Sequence, residues 1–284
     1  MFGFGMLRAI ATTCLIAGGL LAAPAAAPAP LRVVYAAPEP GDARSDYPVA
    51  VLALALSRSG RDYALRSLPA PGSQHRVLRM LEHGRELDVA WAAPTAERER
   101  TLCAIRFPID RGLMGWRVLL VRRGQEAAFA QVRTASKLRR LRGVQGHDWP
   151  DLLVLRHAGL AVDAGTRYDG MFSMLSRGHV DYFPRSVLEV GAELARPQNT
   201  DLTVEPTLLL RYPSALYFFV HRDNAALAGA LSDGLARAQA DGSLQALFQR
   251  TYGEALATLA LDARRTITLP NPTWSTPHAD GRDR

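Results

Sequence analysis

The order of apolar segments between Leu31 and Pro94 is the feature that most limits the folds open to this chain. A short β-rich run, LRVVYAAP, is followed by the helical segment DYPVAVLALALSRSG, the strand DYALRSLP, the helix SQHRVLRMLEHG and the strand ELDVAWAAP. The first helical segment is apolar almost all round, which is typical of a helix buried against a sheet. Regular alternation of strands and helices predicts an α/β fold with a parallel sheet.

A second set of elements starts with the strand WRVLLVRRG. Three helical segments follow, SKLRRLRG, DWPDLLVLRHAG and YDGMFSMLSRG, and then two strands, HVDYFP and SALYFFVHRD. The last long segment reads as a helix, a turn at Asp241 and Gly242, and another helix. Because 284 residues suffice for two modest cores, we expect two α/β lobes.

The first 25 residues have the composition of a secretory signal peptide. Arg8 precedes an apolar run from 9 to 21, and Ala23, Pro24 and Ala25 provide a cleavage pattern of small residues. The run is shorter than the roughly 20 residues that a membrane-spanning helix needs. We therefore predict cleavage after Ala25 and a periplasmic location, and Cys103 then has no cysteine to pair with.

Charge and motifs exclude several classes of function. The chain has 34 Lys plus Arg against 27 Asp plus Glu, a net charge of +7, and Lys137 is its single lysine. Arginine and glutamate interleave, as in AERERT, so no basic patch indicates a nucleic-acid partner. No metal-ligand spacing, phosphate-binding loop or Ser-His-Asp pattern is present, and we expect no cofactor, no metal and no enzymatic activity.

Four segments carry a resemblance to a known family. They are GRELDVAWAAPTAERERTLCAIRFPI, LRGVQGHDW, LSRGHVDYF and the closing segment that begins YFFVHRDNAALAGAL. In this order they resemble the motifs of bacterial solute-binding proteins of the polar-amino-acid type. The resemblance implies a two-lobed type II periplasmic-binding fold with two crossover strands. We expect lobe 1 over 31–118, lobe 2 over 119–213, a return to lobe 1 over 214–268, and a tail over 269–284.

The resemblance also implies a carboxylate-binding arginine. The family's T-x-x-R motif matches Thr95 and Arg98, and a guanidinium can bind a carboxylate through two parallel hydrogen bonds. The other interpretation is that Arg98 is one charge of a solvated run. In the second lobe, His147 and Asp148 follow Gly146 before a helix start, where Asp148 is expected to cap the helix and His147 faces either the cleft or a loop.

One departure from the family concerns the ligand's amino group. The acidic residue that usually holds it falls here on Ser186, which begins an S-x-x-E pattern typical of a helix capping box. Arg185 stands just before it, at a predicted strand end. Either Arg185 and Arg98 grip an anionic ligand from opposite lobes, or Arg185 points outward and Glu39 or Asp46 holds an amine.

Aromatic residues of the first lobe complete the candidate site. Trp91 takes the place of the small hydroxyl residues that line the family's pocket, and it either stacks on a ligand or packs in the core. Tyr35, on the first strand, is a further candidate for ligand contact.

We therefore predict a monomeric protein that captures a small carboxylate-bearing ligand, an amino acid or related organic anion, for an inner-membrane ABC-type transporter or a sensor. Two alternatives remain open at this point. One is a periplasmic hydrolase or dehydratase on the same fold that uses Glu39 or Asp46 with His147. The other is a sensory or scaffold protein that binds a membrane receptor and no ligand.

Overall fold

The computed structural model describes Met1 and residues 30–38, 42–69 and 73–274. The predicted signal peptide, Glu39 and the end of the tail lie outside the described residues. The described strands are β1 Leu31–Ala37, β2 Tyr63–Pro69, β3 Val89–Ala92, β4 Leu102–Ile105, β5 Trp116–Arg122, β6 Arg142–Gly146, β7 Ala161–Gly165, β8 Phe183–Ser186, β9 Leu202–Val204, β10 Leu208–Arg211, β11 Tyr217–His221 and β12 Arg265–Thr268. The described helices are α1 Asp46–Arg58, α2 Gln74–His83, α3 Ala96–Thr101, α4 Ala135–Leu138, α5 Pro150–His157, α6 Tyr168–Ser176, α7 Val190–Leu194, α8 Ala225–Ala240 and α9 Ser243–Thr258.

The first lobe is built on a five-stranded sheet of order β2-β1-β3-β11-β4. β1 pairs in parallel with β2 and β3, as the alternation of segments predicts, whereas β11 runs antiparallel to its neighbours. Alternate residues of β11 face opposite sides of the sheet: Phe218 packs with α1 and α8, and Phe219 packs with α2. The YFFV run is apolar throughout because both of its faces are buried.

The second lobe contains the sheet β12-β10-β5-β8, with β9 also paired to β5. A parallel pair, β6 and β7, is linked to it by a bridge between Gly143 and Tyr182. Apolar clusters cover both faces of the sheet, so Val118 and Leu119, neighbours on β5, enter different cores. Each lobe thus has its own core.

Three connections join the lobes. Residues 106–115 and 212–216 cross side by side, and the Tyr212 N–H donates to the Gly115 carbonyl at 3.1 Å. A Cβ at Gly115 would lie 1.9 Å from the Tyr212 carbonyl oxygen, so only glycine permits this approach. The third connection follows α9 and ends in β12, which pairs with β10 in the second sheet. This strand lies within 214–268, the segment expected to return to the first lobe, but it pairs in the sheet of the second lobe.

The helix capping box predicted at Ser186 is not formed. Ser186 is the last residue of β8, and α7 begins only at Val190. The Ser186 hydroxyl accepts the Leu188 N–H at 3.2 Å, and the Glu189 carboxylate accepts from Arg185 at 2.8 Å. The capping box does not form because Ser186 belongs to a strand and Glu189 is engaged by the side chain of Arg185, the third of the four β8 residues.

Two glycines of α8 are expected to respond in opposite ways to substitution by alanine. A Cβ at Gly234 would lie 1.8 Å from the Ala55 carbonyl oxygen of α1, whereas nothing lies within 4 Å of a Cβ at Gly229. Gly234→Ala should force the helices apart and lower the free energy of unfolding by about 1–3 kcal/mol. Gly229→Ala should raise it by up to about 1 kcal/mol. Urea denaturation of both variants measures the difference, and equal effects would contradict the close helix contact.

Candidate ligand-binding cleft

A cavity of about 630 Å³ lies between the two lobes. Its first-lobe wall includes residues 36–38 after β1, Gln74 of α2, and Trp91 and Ala93. Its second-lobe wall includes residues 146–151 after β6 and 165–169 after β7. These segments follow the carboxyl ends of parallel strands, where open α/β sheets bind ligands. No described helix is long and apolar enough to cross a membrane.

Arg117 and Asp151 form a buried ion pair on the second-lobe wall. The guanidinium donates to the Asp151 carboxylate at 2.6 Å and to the Tyr212 hydroxyl at 3.0 Å, and the Tyr212 hydroxyl itself donates to Asp151. Burial would lower the pKa of Arg117, but the carboxylate of Asp151 raises it above its usual value. Both charges are thus compensated within the protein.

Arg185 lines the cavity, but its charge is also compensated. Its side chain is only 1% exposed and donates to both oxygens of Glu193, at 2.9 and 2.8 Å, and to Glu189 at 2.8 Å. Burial would lower the pKa of Arg185, yet Glu193 and Glu189 hold it well above its ordinary value. Its Nη1 is buried without a hydrogen-bond partner among the described residues. Two carboxylates around one guanidinium leave little attraction for an added anion.

Two further arginines of the wall have carboxylate partners. Arg44, between β1 and α1, donates to Asp42 through Nε at 2.8 Å and Nη2 at 2.5 Å. Arg196 lies 2.9 Å from Asp169. The wall is therefore rich in charge yet largely neutralised by its own pairs.

Arg98 lies immediately behind the first-lobe wall. Its guanidinium donates to the Ala93 carbonyl at 2.6 Å and to the Gln74 side-chain carbonyl at 2.9 Å, and both of these residues line the cavity. Thr95 caps α3, its hydroxyl accepting the Arg98 N–H at 3.2 Å. Burial lowers the pKa of Arg98, which among the described residues makes no ion pair with a carboxylate. The carboxylates of Asp148 and Asp151 oppose this shift, but they act on the guanidinium only across space.

Asp148 stands on the opposite wall, where its carboxylate attracts Arg98 across space and lies 3.9 Å from Nδ1 of His147. It accepts the His75 N–H of α2 at 3.5 Å, a contact between the two lobes. The helix that it was predicted to cap has Trp149 at its N-cap and Pro150 in its first turn, without a side-chain cap. His147 lines the cavity and contacts the Gly165 carbonyl through Nδ1 at 3.2 Å. Both predicted residues of this loop thus reach the cleft wall.

The remaining predicted residues are divided between the core and other sites. Trp91 lines the cavity and also packs against Tyr35, with ring centroids 6.1 Å apart. Tyr35 packs on the core of the first lobe. Asp46, the first residue of α1, lines an adjoining pocket of about 260 Å³ that does not include His147. The structure does not bring Asp46 and His147 to one pocket.

Sequence reasoning missed several charged and aromatic residues of the cleft. Arg117 had a usable signal, because an arginine among the buried residues of the strand WRVLLVR requires a buried partner. Glu189 had another, since it follows Arg185 by four residues. Arg44, Asp151, Trp149 and Tyr168 had none, because only the folded loops bring them to the wall. No cluster of metal-ligating side chains occurs in the part of the chain that the structure describes.

Comparison with known proteins supports the fold. No protein-family model matches the sequence, and no curated protein does. Solved structures match instead. The Bordetella pertussis BvgS VFT2 domain is 19% identical, with TM-score 0.60, over 78% of this chain and 92% of its own. The GluR0 ligand-binding core of Nostoc punctiforme, solved with L-glutamate, is 14% identical, with TM-score 0.56, over 78% and 99%.

A third match is a periplasmic binding protein of Salmonella typhimurium with high arginine specificity, 14% identical, with TM-score 0.56, over 78% of this chain and 99% of its own. At such identities the similarity establishes the fold alone. The chain has the two-lobed type II periplasmic-binding fold, as the sequence motifs predicted. Its cavity of about 630 Å³ lies between the two lobes of that fold.

Proposed function

We propose that the protein is a periplasmic solute-binding protein that captures a small zwitterionic solute, an amino acid or a close relative, between its lobes. The observation that carries this proposal is the pair of opposite charges at the cleft, Arg98 on one side and Asp148 on the other. They attract each other across space but form no direct ion pair among the described residues. The fold, shared with structures of amino-acid-binding proteins, supports the same conclusion.

Arg98 is the proposed partner of the solute's carboxylate. Two of its five N–H groups donate to Ala93 and Gln74. These hydrogen bonds hold the guanidinium at the back of the wall and leave its other N–H groups available to a solute. A carboxylate would compensate a cation whose pKa is lowered by burial. Thr95 contributes indirectly, by fixing the start of the helix that carries Arg98.

Asp148 is the proposed partner of the solute's amino group. It replaces the acidic residue that the family resemblance placed at Ser186, and it takes the role that the sequence left open between Glu39 and Asp46. The anionic-ligand interpretation loses its basis at Arg185, because Glu189 and Glu193 already neutralise that guanidinium. A solute with one carboxylate and one amine matches the two charges that remain.

The route of the solute follows from the same proposal. A protein exported through its first 25 residues would act as a monomer in the periplasm and pass its solute to an ABC-type permease or a sensor in the inner membrane. One of the matching structures is a substrate-binding protein of an amino acid ABC transporter. Binding without chemical turnover is all that this role requires.

Screening by thermal shift tests the proposal directly. We expect an amino acid, and not a dicarboxylate or an aromatic acid without an amine, to raise the melting temperature, because a ligand of the native state stabilises it. Asp148→Asn should then weaken binding of that amino acid by about tenfold or more, since a charge-assisted hydrogen bond is lost. Its analogue without the amino group should bind the variant and the wild type about equally.

The exposed Asp163, which pairs with Arg142 at 3.5 Å, offers a matched control. Asp163→Asn makes the same chemical change on β7 and should leave affinity unaltered. Equal losses for the amino acid and its deaminated analogue in Asp148→Asn would exclude the amine contact. Stabilisation by dicarboxylates alone would exclude the zwitterionic solute.

A further inference from the structure

Tyr168 presents an aromatic face to an arginine of the other lobe. The Arg44 guanidinium carbon lies 3.8 Å from the centroid of the Tyr168 ring and 5.8 Å from that of Trp149. Arg44 belongs to the first-lobe segment before α1, whereas Tyr168 begins α6 of the second lobe. A cation at this distance over an aromatic face is attracted by the ring quadrupole.

Arg44 is held in this position by a fork of hydrogen bonds to Asp42. Nε and Nη2 donate to the two carboxylate oxygens at 2.8 and 2.5 Å, and the Arg44 backbone N–H donates to Asp42 at 3.0 Å. Burial would lower the pKa of Arg44, but Asp42, Tyr168 and Glu189 together raise it. A planar cation, a carboxylate fork and an aromatic face thus form one unit across the cleft.

Other guanidiniums near Tyr168 have different partners. Arg185 lies 5.8 Å from the ring centroid and is bound by Glu189 and Glu193, and Arg196 lies 5.4 Å from it and pairs with Asp169. Both also belong to the second lobe, as Tyr168 does. Arg44 is the closest of the three and the one that reaches the ring from the opposite lobe.

We propose that the Tyr168 face and Asp42 form a binding site for a guanidinium group, and that the protein fills this site with its own Arg44. The filled site joins the lobes and occupies the place that a cationic side chain of a solute would take. This second role of the filled site rests on the proposed function: Arg44 would be a specificity-determining residue that selects solutes without a second cationic group. The existence of the site itself does not depend on which solute is bound.

Removal of Arg44 should expose the site to an added guanidinium. We expect calorimetric titration with methylguanidinium chloride to show binding to Arg44→Ala at least about tenfold tighter than to the wild type, with sodium chloride titrated as the ionic control. The double variant Arg44→Ala/Tyr168→Phe should keep the tighter methylguanidinium binding. It retains the aromatic ring and loses only the hydroxyl that donates to Glu193 at 2.6 Å. Arg44→Ala/Tyr168→Leu should lose it, because the aromatic face is gone.

Arg58→Ala provides the matched control, since Arg58 pairs with Asp241 at 2.7 Å on the surface, away from the cleft. Near-ultraviolet circular dichroism establishes that each variant is folded. No gain in Arg44→Ala, or an equal gain in the Leu and Phe double variants, would overturn the proposal. A gain of methylguanidinium binding in a protein that binds no amino acid would support this site while rejecting the proposed function.

Discussion

Arg185→Ala is expected to lower the free energy of unfolding by about 3–5 kcal/mol, the usual cost of removing one partner from a buried ion pair. The substitution leaves Glu193, a buried residue, without its main cation and deprives Glu189 of its nearest one. It also opens space beside the rings of Trp149 and Phe183, against which the guanidinium packs. Urea denaturation of the wild type and the variant measures the loss.

Two further variants identify the cause of that loss. Replacing Arg185 and Glu193 together by methionine removes both charges while keeping apolar volume, and it should recover much of the stability. Arg142→Ala removes an exposed arginine of the same lobe, which lies 3.5 Å from Asp163, and should cost less than about 1 kcal/mol. A loss in Arg185→Ala no larger than in Arg142→Ala would show that the buried pair contributes little.

Arg98→Ala is expected to weaken solute binding by more than tenfold, since a charge-assisted hydrogen bond to a carboxylate contributes about 1.5–3 kcal/mol. Arg98→Lys should be impaired as well, because an ammonium cannot donate two parallel hydrogen bonds to one carboxylate. Calorimetry with the solute identified by the thermal-shift screen measures both changes. The melting temperature without solute should fall only slightly, since Arg98 interacts with Asp148 and Asp151 across space and forms no direct ion pair among the described residues.

Arg100 provides the control, because it lies on the same short helix and is exposed. Arg100→Ala should bind the solute as the wild type does. Unchanged affinity in Arg98→Ala would reject the carboxylate contact and leave the family resemblance without its main functional residue. Equal weakening in Arg98→Ala and Arg100→Ala would indicate a general effect of positive charge on binding.

Much of the secondary structure was predictable from local patterns. Ser73 and Gly84 bound α2 as the sequence indicated, with the Ser73 hydroxyl accepting the Arg76 N–H and Gly84 in a left-handed conformation. The turn between α8 and α9 occurs at Gly242, whose φ of 77° favours glycine. Capping, turn and periodicity signals act over a few residues, so they can be read without knowledge of the fold.

The environment of Arg185 was not predictable in the same way. The S-x-x-E pattern that suggested a capping box is a local signal, but in the folded chain Glu189 binds Arg185 and the strand continues through Ser186. A buried guanidinium attracts any carboxylate within reach, and this interaction outweighs a helix cap worth about 1 kcal/mol. The sequence identified Arg185 as unusual but assigned its charge to a ligand.

The sequence by itself determined the alternating elements from β1 to β3, and through four motifs the two-lobed fold. It did not indicate the strands β4, β6, β7, β9, β10 and β12. The tertiary structure alone decided how the charges of the cleft are paired. Arg117 and Asp151, or Arg44 and Tyr168, are distant in sequence, and their interaction energies depend on distance, burial and orientation, which only the packing of both lobes sets. The consequence is that Arg98 and Asp148 attract each other only across space, because Arg117, Arg185 and Arg44 already form direct pairs with other carboxylates.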